Sequence, residues 1–162
     1  NVHGQRFDLM QPGKHVLIHV PRKEEHPLLE VRAEARRLGG CSDMYFSAVN
    51  ITGTWAEARQ PGGYHYSATQ RVENPRWTAL GLVETKVVNG RTRRGLDYLN
   101  FYVKHLGKTG YAVGGLLGDD DHTEESTIPE DCHRKVALRA GTGLDLDGRE
   151  RSEQSAAVAT AE

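Results

Sequence analysis

The sequence predicts an all-β domain, an antiparallel β-sandwich with Gly-rich turns and a polar C-terminal tail. Three observations predict it. Apolar and polar residues alternate along several short segments, most cleanly over 15–20 and 98–105. Turn pairs punctuate the chain between them, among them Pro12-Gly13, Gly39-Gly40, Pro61-Gly62 and Asn89-Gly90. Glycine is abundant at 18 of 162 residues and hydrophobic residues reach only 37%, which suits many turns and a modest core better than a helical bundle.

Residues 6–10 read as a first short strand, ended by Pro12-Gly13. In 15–20, Val16, Ile18 and Val20 share one face, with His15, Leu17 and His19 on the other. Pro21 stops that strand, and a charged loop runs to Pro27. Residues 28–38 fit two templates. Leu29, Val31, Ala33 and Ala35 alternate with Glu30, Arg32, Glu34 and Arg36, as on a half-exposed strand. Leu28, Val31, Ala35 and Leu38 also form a helical stripe. The neighbouring strands favour strand. Residues 44–55 place Tyr45, Ser47, Val49 and Ile51 on one side of a further strand, and 64–69 follow after a turn. Residues 82–88 followed by Asn89-Gly90 carry a hairpin signal, because Asn-Gly tolerates the positive φ angles of a type I′ turn. Residues 98–105 return, with Leu99, Phe101 and Val103 inward. Residues 111–117 read as a last apolar strand broken by glycine, and 136–138 as a short edge strand. The domain is therefore expected over 1–139. From Ala140 the composition turns to Gly, Asp, Arg, Glu, Ser and Ala, so 140–162 is expected to be a flexible or partner-draped tail.

Charge and hydropathy narrow the function. The formal net charge is −1, from 21 Lys+Arg and 22 Asp+Glu, so no broad basic face for nucleic acid or anionic lipid is expected. The apolar runs at 16–18 and 112–117 are far too short to span a bilayer, so no transmembrane segment is expected. The chain begins at Asn1 rather than Met, as a processed product would. Its two cysteines, Cys41 and Cys132, are either free thiols or one disulfide; a bond would close a loop of about 90 residues, worth about 4–5 kcal/mol in the chain-entropy account, in an oxidising compartment.

The most informative motif is Gly114-Gly115-Leu116-Leu117-Gly118-Asp119-Asp120-Asp121-His122. Three successive carboxylates repel one another unless solvated or neutralised, and the glycines let the backbone turn its carbonyls toward a cation. Hard oxygen ligands of this kind suit calcium, with Asp119, Asp120 and Asp121 as ligands. The competing reading is a solvated acidic turn that starts a tail or caps a helix at 123–126. His15 and His19, with His3 or His105, could form part of a zinc site, although half-exposed strand histidines account for them better. Asn50-Ile51-Thr52 is an N-glycosylation sequon on a strand. Arg91, Arg93 and Arg94 form a basic knot beyond the hairpin turn. A nucleophile elbow, a Walker loop, a HExxH motif and a dinucleotide fingerprint are all missing from the sequence.

Three stretches resemble a known family. Val2-His3-Gly4-Gln5-Arg6-Phe7-Asp8 looks like the opening of a von Willebrand factor type D domain, and Gly114-Gly115-Leu116-Leu117-Gly118-Asp119 like its closing Gly-Leu-x-Gly-Asn/Asp segment. Pro12 through Arg22 is similar to the C-terminal domain of inter-alpha-trypsin inhibitor heavy chains, and the whole segment to D-like algal proteins. The resemblance implies an antiparallel β-sandwich used in extracellular assembly, and calcium in the loop at Asp119, Asp120 and Asp121. The chain departs from the family in lacking the cysteines that flank the closing segment, where Gly115 and Leu117 stand, and the Gly-Asp-Pro-His element.

The function expected from all this is a non-catalytic structural and interaction module with protein partners, in an extracellular or organelle-lumen setting, stabilised by calcium. The alternatives are a peripheral structural subunit of a larger, algal membrane-associated assembly and, third, an enzyme.

Overall fold

The computed structural model describes residues 9–37, 44–130 and 132. The chain divides by packing into Asn1–Pro129 and Glu130–Glu162, and the fold is that of the first unit. The expected edge strand at 136–138, the tail at 140–162 and Cys41 lie outside the described residues, as does most of the first strand expected at 6–10.

The unit is all-β. Seven antiparallel strands are present among the described residues: β1 (Gly13–Val20), β2 (Leu29–Arg37), β3 (Met44–Thr52), β4 (Tyr64–Ser67), β5 (Thr78–Leu80), β6 (Val83–Arg91) and β7 (Asp97–Lys104). Two single-turn helices, α1 (Thr54–Glu57) and α2 (Thr123–Ser126), and a 3-10 turn at Leu106–Lys108 join them. The hydrogen-bonded order is β1-β2-β3-β7-β6-β5, and β4 also pairs with β3.

β3 is where the sheet divides. β2 pairs along its whole length, from Glu30↔Thr52 to Arg37↔Met44. The opposite edge is shared: β4 takes Ala48 to Ile51, and β7 meets it at Phe46↔Leu99. The sheet therefore forks into a β1–β4 meander and a β5–β7 meander, and the two close on one core in a sandwich-like manner. Ile18, Val20, Leu29, Val31, Val49 and Ile51 from the first and Leu80, Val83, Val87 and Leu99 from the second form a single buried cluster. Removing one such side chain to alanine costs about 2–5 kcal/mol, more than any surface interaction here supplies.

β2 is a strand because its period-2 pattern is satisfied on both faces. Val31, Ala33 and Ala35 are buried, and the outer face is laced by pairs two residues apart: Arg32 Nε donates to Glu30, and Arg36 Nε and Nη2 donate to Glu34 Oε1 at 3.0 and 2.9 Å. A helix would turn such pairs away from each other.

Four expectations need correction. In β1 a bulge shifts the register between Val16↔Arg32 and Ile18↔Val31. Ile18 and Val20 lie opposite buried Val31 and Leu29, but Val16 lies opposite exposed Arg32, so the three valine and isoleucine side chains do not share a face. In β3 a second register shift, between Glu34↔Ala48 and Ala35↔Phe46, puts Phe46 rather than Tyr45 and Ser47 on the side of Val49 and Ile51, and the strand stops at Thr52; Trp55 N donates to Leu28 O at 2.8 Å and the chain enters α1. Asn89-Gly90 is not the hairpin turn. β6 continues through it to Arg91, and the turn is closed by Gly95 N to Thr92 O and Thr92 N to Leu96 O, both 2.9 Å. Gly90 is needed instead because a Cβ there would fall 2.2 Å from the Tyr98 ring. Residues 111–117 form no strand beyond the bridge His19↔Gly114. They run along the outer edge of β1, with Leu116 N and Leu117 N donating to Val16 O and Leu17 O at 3.0 and 2.9 Å.

Candidate functional site

Two charged regions compete for the role of site. The first is the acidic corner that the sequence emphasises. Gly115, at φ +87°, is pressed onto β1 so closely that a Cβ would meet the Leu17 carbonyl at 2.6 Å. That approach brings Gly115 N to Asp120 Oδ2 at 2.6 Å, while Asp120 Oδ1 accepts from Arg22 Nε at 2.9 Å. Arg22 Nη2 also donates to Asp119 O at 3.2 Å. Asp121 turns the other way: its Oδ1 accepts from Thr123 N at 3.0 Å and Thr123 Oγ1 at 2.5 Å, initiating α2. These two bonds, the side-chain one first, hold the Asp121 carboxyl below its ordinary 3.8. The helix expected at 123–126 is therefore present, and two of the three carboxylates accept hydrogen bonds from different parts of the chain. No group of three or more His, Cys, Asp or Glu suited to a metal ion occurs among the described residues.

The other motifs are likewise dispersed. His15 Nε2 meets Gln11 O at 2.9 Å, and His19 bridges Glu30 Oε2 (3.2 Å) and Glu24 O (2.8 Å). Asn50 sits on β3 between Arg32 and His65, and its Oδ1 lies 2.9 Å from His65 Nδ1. Arg91 pairs with Asp97 at 3.1 Å, which leaves Arg93 and Arg94 exposed at the hairpin tip. Cys132 is fully buried, and its expected partner Cys41 lies outside the described residues.

The second region is a groove of about 790 Å³ at the fork of the sheet. Tyr64, His65, Tyr66 and Ser67 of β4 line one side, and Thr78, Ala79, Thr85, Lys86 and Val87 of β5 and β6 the other. The connection between β4 and β5 supplies Gln70, Arg71, Glu73, Asn74, Arg76 and Trp77, and Arg59 enters from beyond α1. The Tyr64 and Tyr66 rings are parallel, 4° apart with centroids at 6.4 Å, as period-2 spacing on one strand dictates. Burial first, and then Tyr64, push the Tyr66 phenol above its ordinary 10.0, so it stays a hydrogen-bond donor at neutral pH. Across the groove Lys86 Nζ lies 4.9 Å from the Trp77 ring centroid and 5.1 Å from that of Tyr102, and Lys104 Nζ lies 3.9 Å from Trp77.

Asn89 fixes the loop that carries these groups. It continues the inward row Val83, Thr85 and Val87, reaches past the end of the core, accepts from Val72 N at 2.6 Å and donates to Gln70 O at 3.1 Å. Arg71 stands between those two anchored residues. Among the described residues no carboxylate forms an ion pair with Arg59, Arg71 or Arg76, whereas Arg22, Arg32, Arg36 and Arg91 all have one. Sequence reasoning missed this site because its cations are scattered singly over 59–86. The signal available was the Asn-Pro-Arg-Trp turn at 74–77, an aromatic beside an arginine on a long polar connection.

No family model matches the chain, and neither a curated protein nor a solved structure matches it.

Proposed function

We propose that this domain is a non-catalytic interaction module of an extracytoplasmic protein, and that its binding face is the fork groove, which takes an anionic ligand. The observation that carries this reading is the trio of arginines, Arg59, Arg71 and Arg76, that have no carboxylate partner among the described residues and line a groove between two β meanders. A guanidinium left exposed beside aromatic faces is poised to exchange water for carboxylate, sulfate or phosphate oxygens, with two parallel hydrogen bonds to each. The test is retention of the full chain on an anionic matrix, with elution by salt. The unmodified protein is expected to be retained at low salt, and Arg71→Gln/Arg76→Gln to elute earlier. Identical elution of the two proteins defeats the reading.

The resemblance to type D domains belongs to the same proposal, as do calcium at Asp119, Asp120 and Asp121 and a bond between Cys41 and Cys132. A cation at the corner would compete with the Arg22 guanidinium for Asp120. A melting temperature that rises with calcium and falls with a chelator supports the ion. Protection of both cysteines from thiol labelling, lost on reduction, supports the bond.

A further inference from the structure

We infer that the anionic ligand of the groove is an acidic polysaccharide chain, bearing sulfate or carboxylate groups, rather than an acidic peptide or a nucleic acid strand. The inference rests on the anionic-ligand reading above and adds the chemical class. Three features select it. Flat aromatic rings, Tyr64 and Tyr66, stand among the cations Arg59, Arg71 and Arg76. A pyranose ring offers a face of polarised C–H bonds that rests on the negative face of an aromatic ring, while its acidic substituents project sideways to the guanidinium groups. The exposed amides of Gln60, Gln70 and Asn74 lie between these groups, and an amide both donates to and accepts from a sugar hydroxyl.

The second feature is the Trp77 ladder. Lys86 and Lys104 both lie over one indole, with Lys86 also against Tyr102. Two ammonium groups on the same ring repel each other, and Glu84 answers Lys104 only from 3.8 Å. A sulfate or carboxylate bound beside Trp77 relieves that repulsion.

The third feature weighs against the competitors. A peptide adding to the sheet needs a long free edge, and the strands at the groove, β4 and β5, have four and three residues. A nucleic acid presents a phosphate at every nucleotide, and the domain carries Glu73 in the groove within a chain of net charge −1. A polysaccharide whose acidic groups alternate with hydroxyls and ring faces matches cations spaced among neutral donors.

The test is fluorescence or calorimetric titration of the full chain with dextran sulfate, polygalacturonate, neutral dextran, polyglutamate and oligothymidylate. Variants are Trp77→Ala, Trp77→Phe and Arg71→Gln/Arg76→Gln, each checked for an unchanged melt. Dextran sulfate or polygalacturonate is expected to bind and neutral dextran to fail. Trp77→Ala is expected to weaken binding about fivefold to tenfold, Trp77→Phe to restore most of it, and the double arginine variant to weaken it at least tenfold. Polyglutamate binding as tightly, with Trp77→Ala indifferent, overturns the carbohydrate assignment and leaves the anionic reading standing. Oligothymidylate binding more tightly than either polysaccharide also overturns it, in favour of a nucleic acid. Failure of every polyanion overturns both readings.

Discussion

At the corner where 113–121 crosses β1, charged groups answer one another. Arg22 holds Asp120, Asp120 caps Gly115 N, and Asp121 starts α2 through Thr123. At the fork, Arg59, Arg71 and Arg76 border the groove with no carboxylate partner among the described residues, and two lysines crowd Trp77. The corner is dense in charge along the sequence and spends its hydrogen bonds on its own backbone. The groove is sparse in charge along the sequence and leaves Arg59, Arg71 and Arg76 exposed to solvent. Internal satisfaction is what a fold-stabilising region shows, whereas the exposed arginines of the groove are what the proposed recognition would use.

Substitutions can break or sharpen that contrast. The largest effect is expected from Gly115→Ala. The new Cβ meets β1 backbone at a positive φ, where neither side can yield, and the combined strain and overlap should cost about 3 kcal/mol in chemical denaturation. Asp120→Ala comes next. It leaves Gly115 N without its acceptor in a buried position and should cost about 1–2 kcal/mol by the same measurement. Asn89→Ala joins the two regimes: it should cost about 1 kcal/mol through two lost hydrogen bonds and also weaken ligand binding, because it frees the loop bearing Arg71. Arg71→Gln/Arg76→Gln should change stability by less than about 0.5 kcal/mol while weakening retention on an anionic matrix, since exposed side chains without partners contribute little to folding. A large loss of stability in that variant would erase the distinction between the two regions.

The smallest effect concerns pH. The Asp121 carboxyl is depressed in the folded state by the Thr123 hydroxyl and amide, so its stabilising contribution is present above 3.8 and is lost as pH falls through the lower folded value. Asp121→Asn should lower stability slightly at neutral pH, where the charged carboxylate contributes, and leave the acid end almost unchanged, which flattens the acid limb of the stability curve. A melt series from pH 5 to about 2 reads the difference.

Much of the fold was legible one residue at a time. The alternation in β2 and β7 and the inward set Leu99, Phe101 and Val103 are period-2 patterns, and a half-buried sheet enforces that period wherever it occurs. The bulge at Leu17 was not legible, because an extra residue changes the face of everything before it without changing composition. Asn89-Gly90 misled for a related reason. Its local turn preference is real but worth little against eight register pairs of β6 with β7, so the strand runs through it and the Asn side chain is redeployed to hold Val72 and Gln70.

The site divides along the same line. The sequence by itself determined that the chain is all-β and which residues carry charge. Only the tertiary structure decided which charges find partners. Arg22 and Asp120 are 98 residues apart and meet at 2.9 Å, while Arg59, Arg71 and Arg76 line one groove and form no ion pair with a carboxylate among the described residues. Alternation is a local property that each strand writes into its own residues. Neutralisation depends on which segments the fork of the sheet brings within a few ångströms, and that depends on all the strand pairings at once.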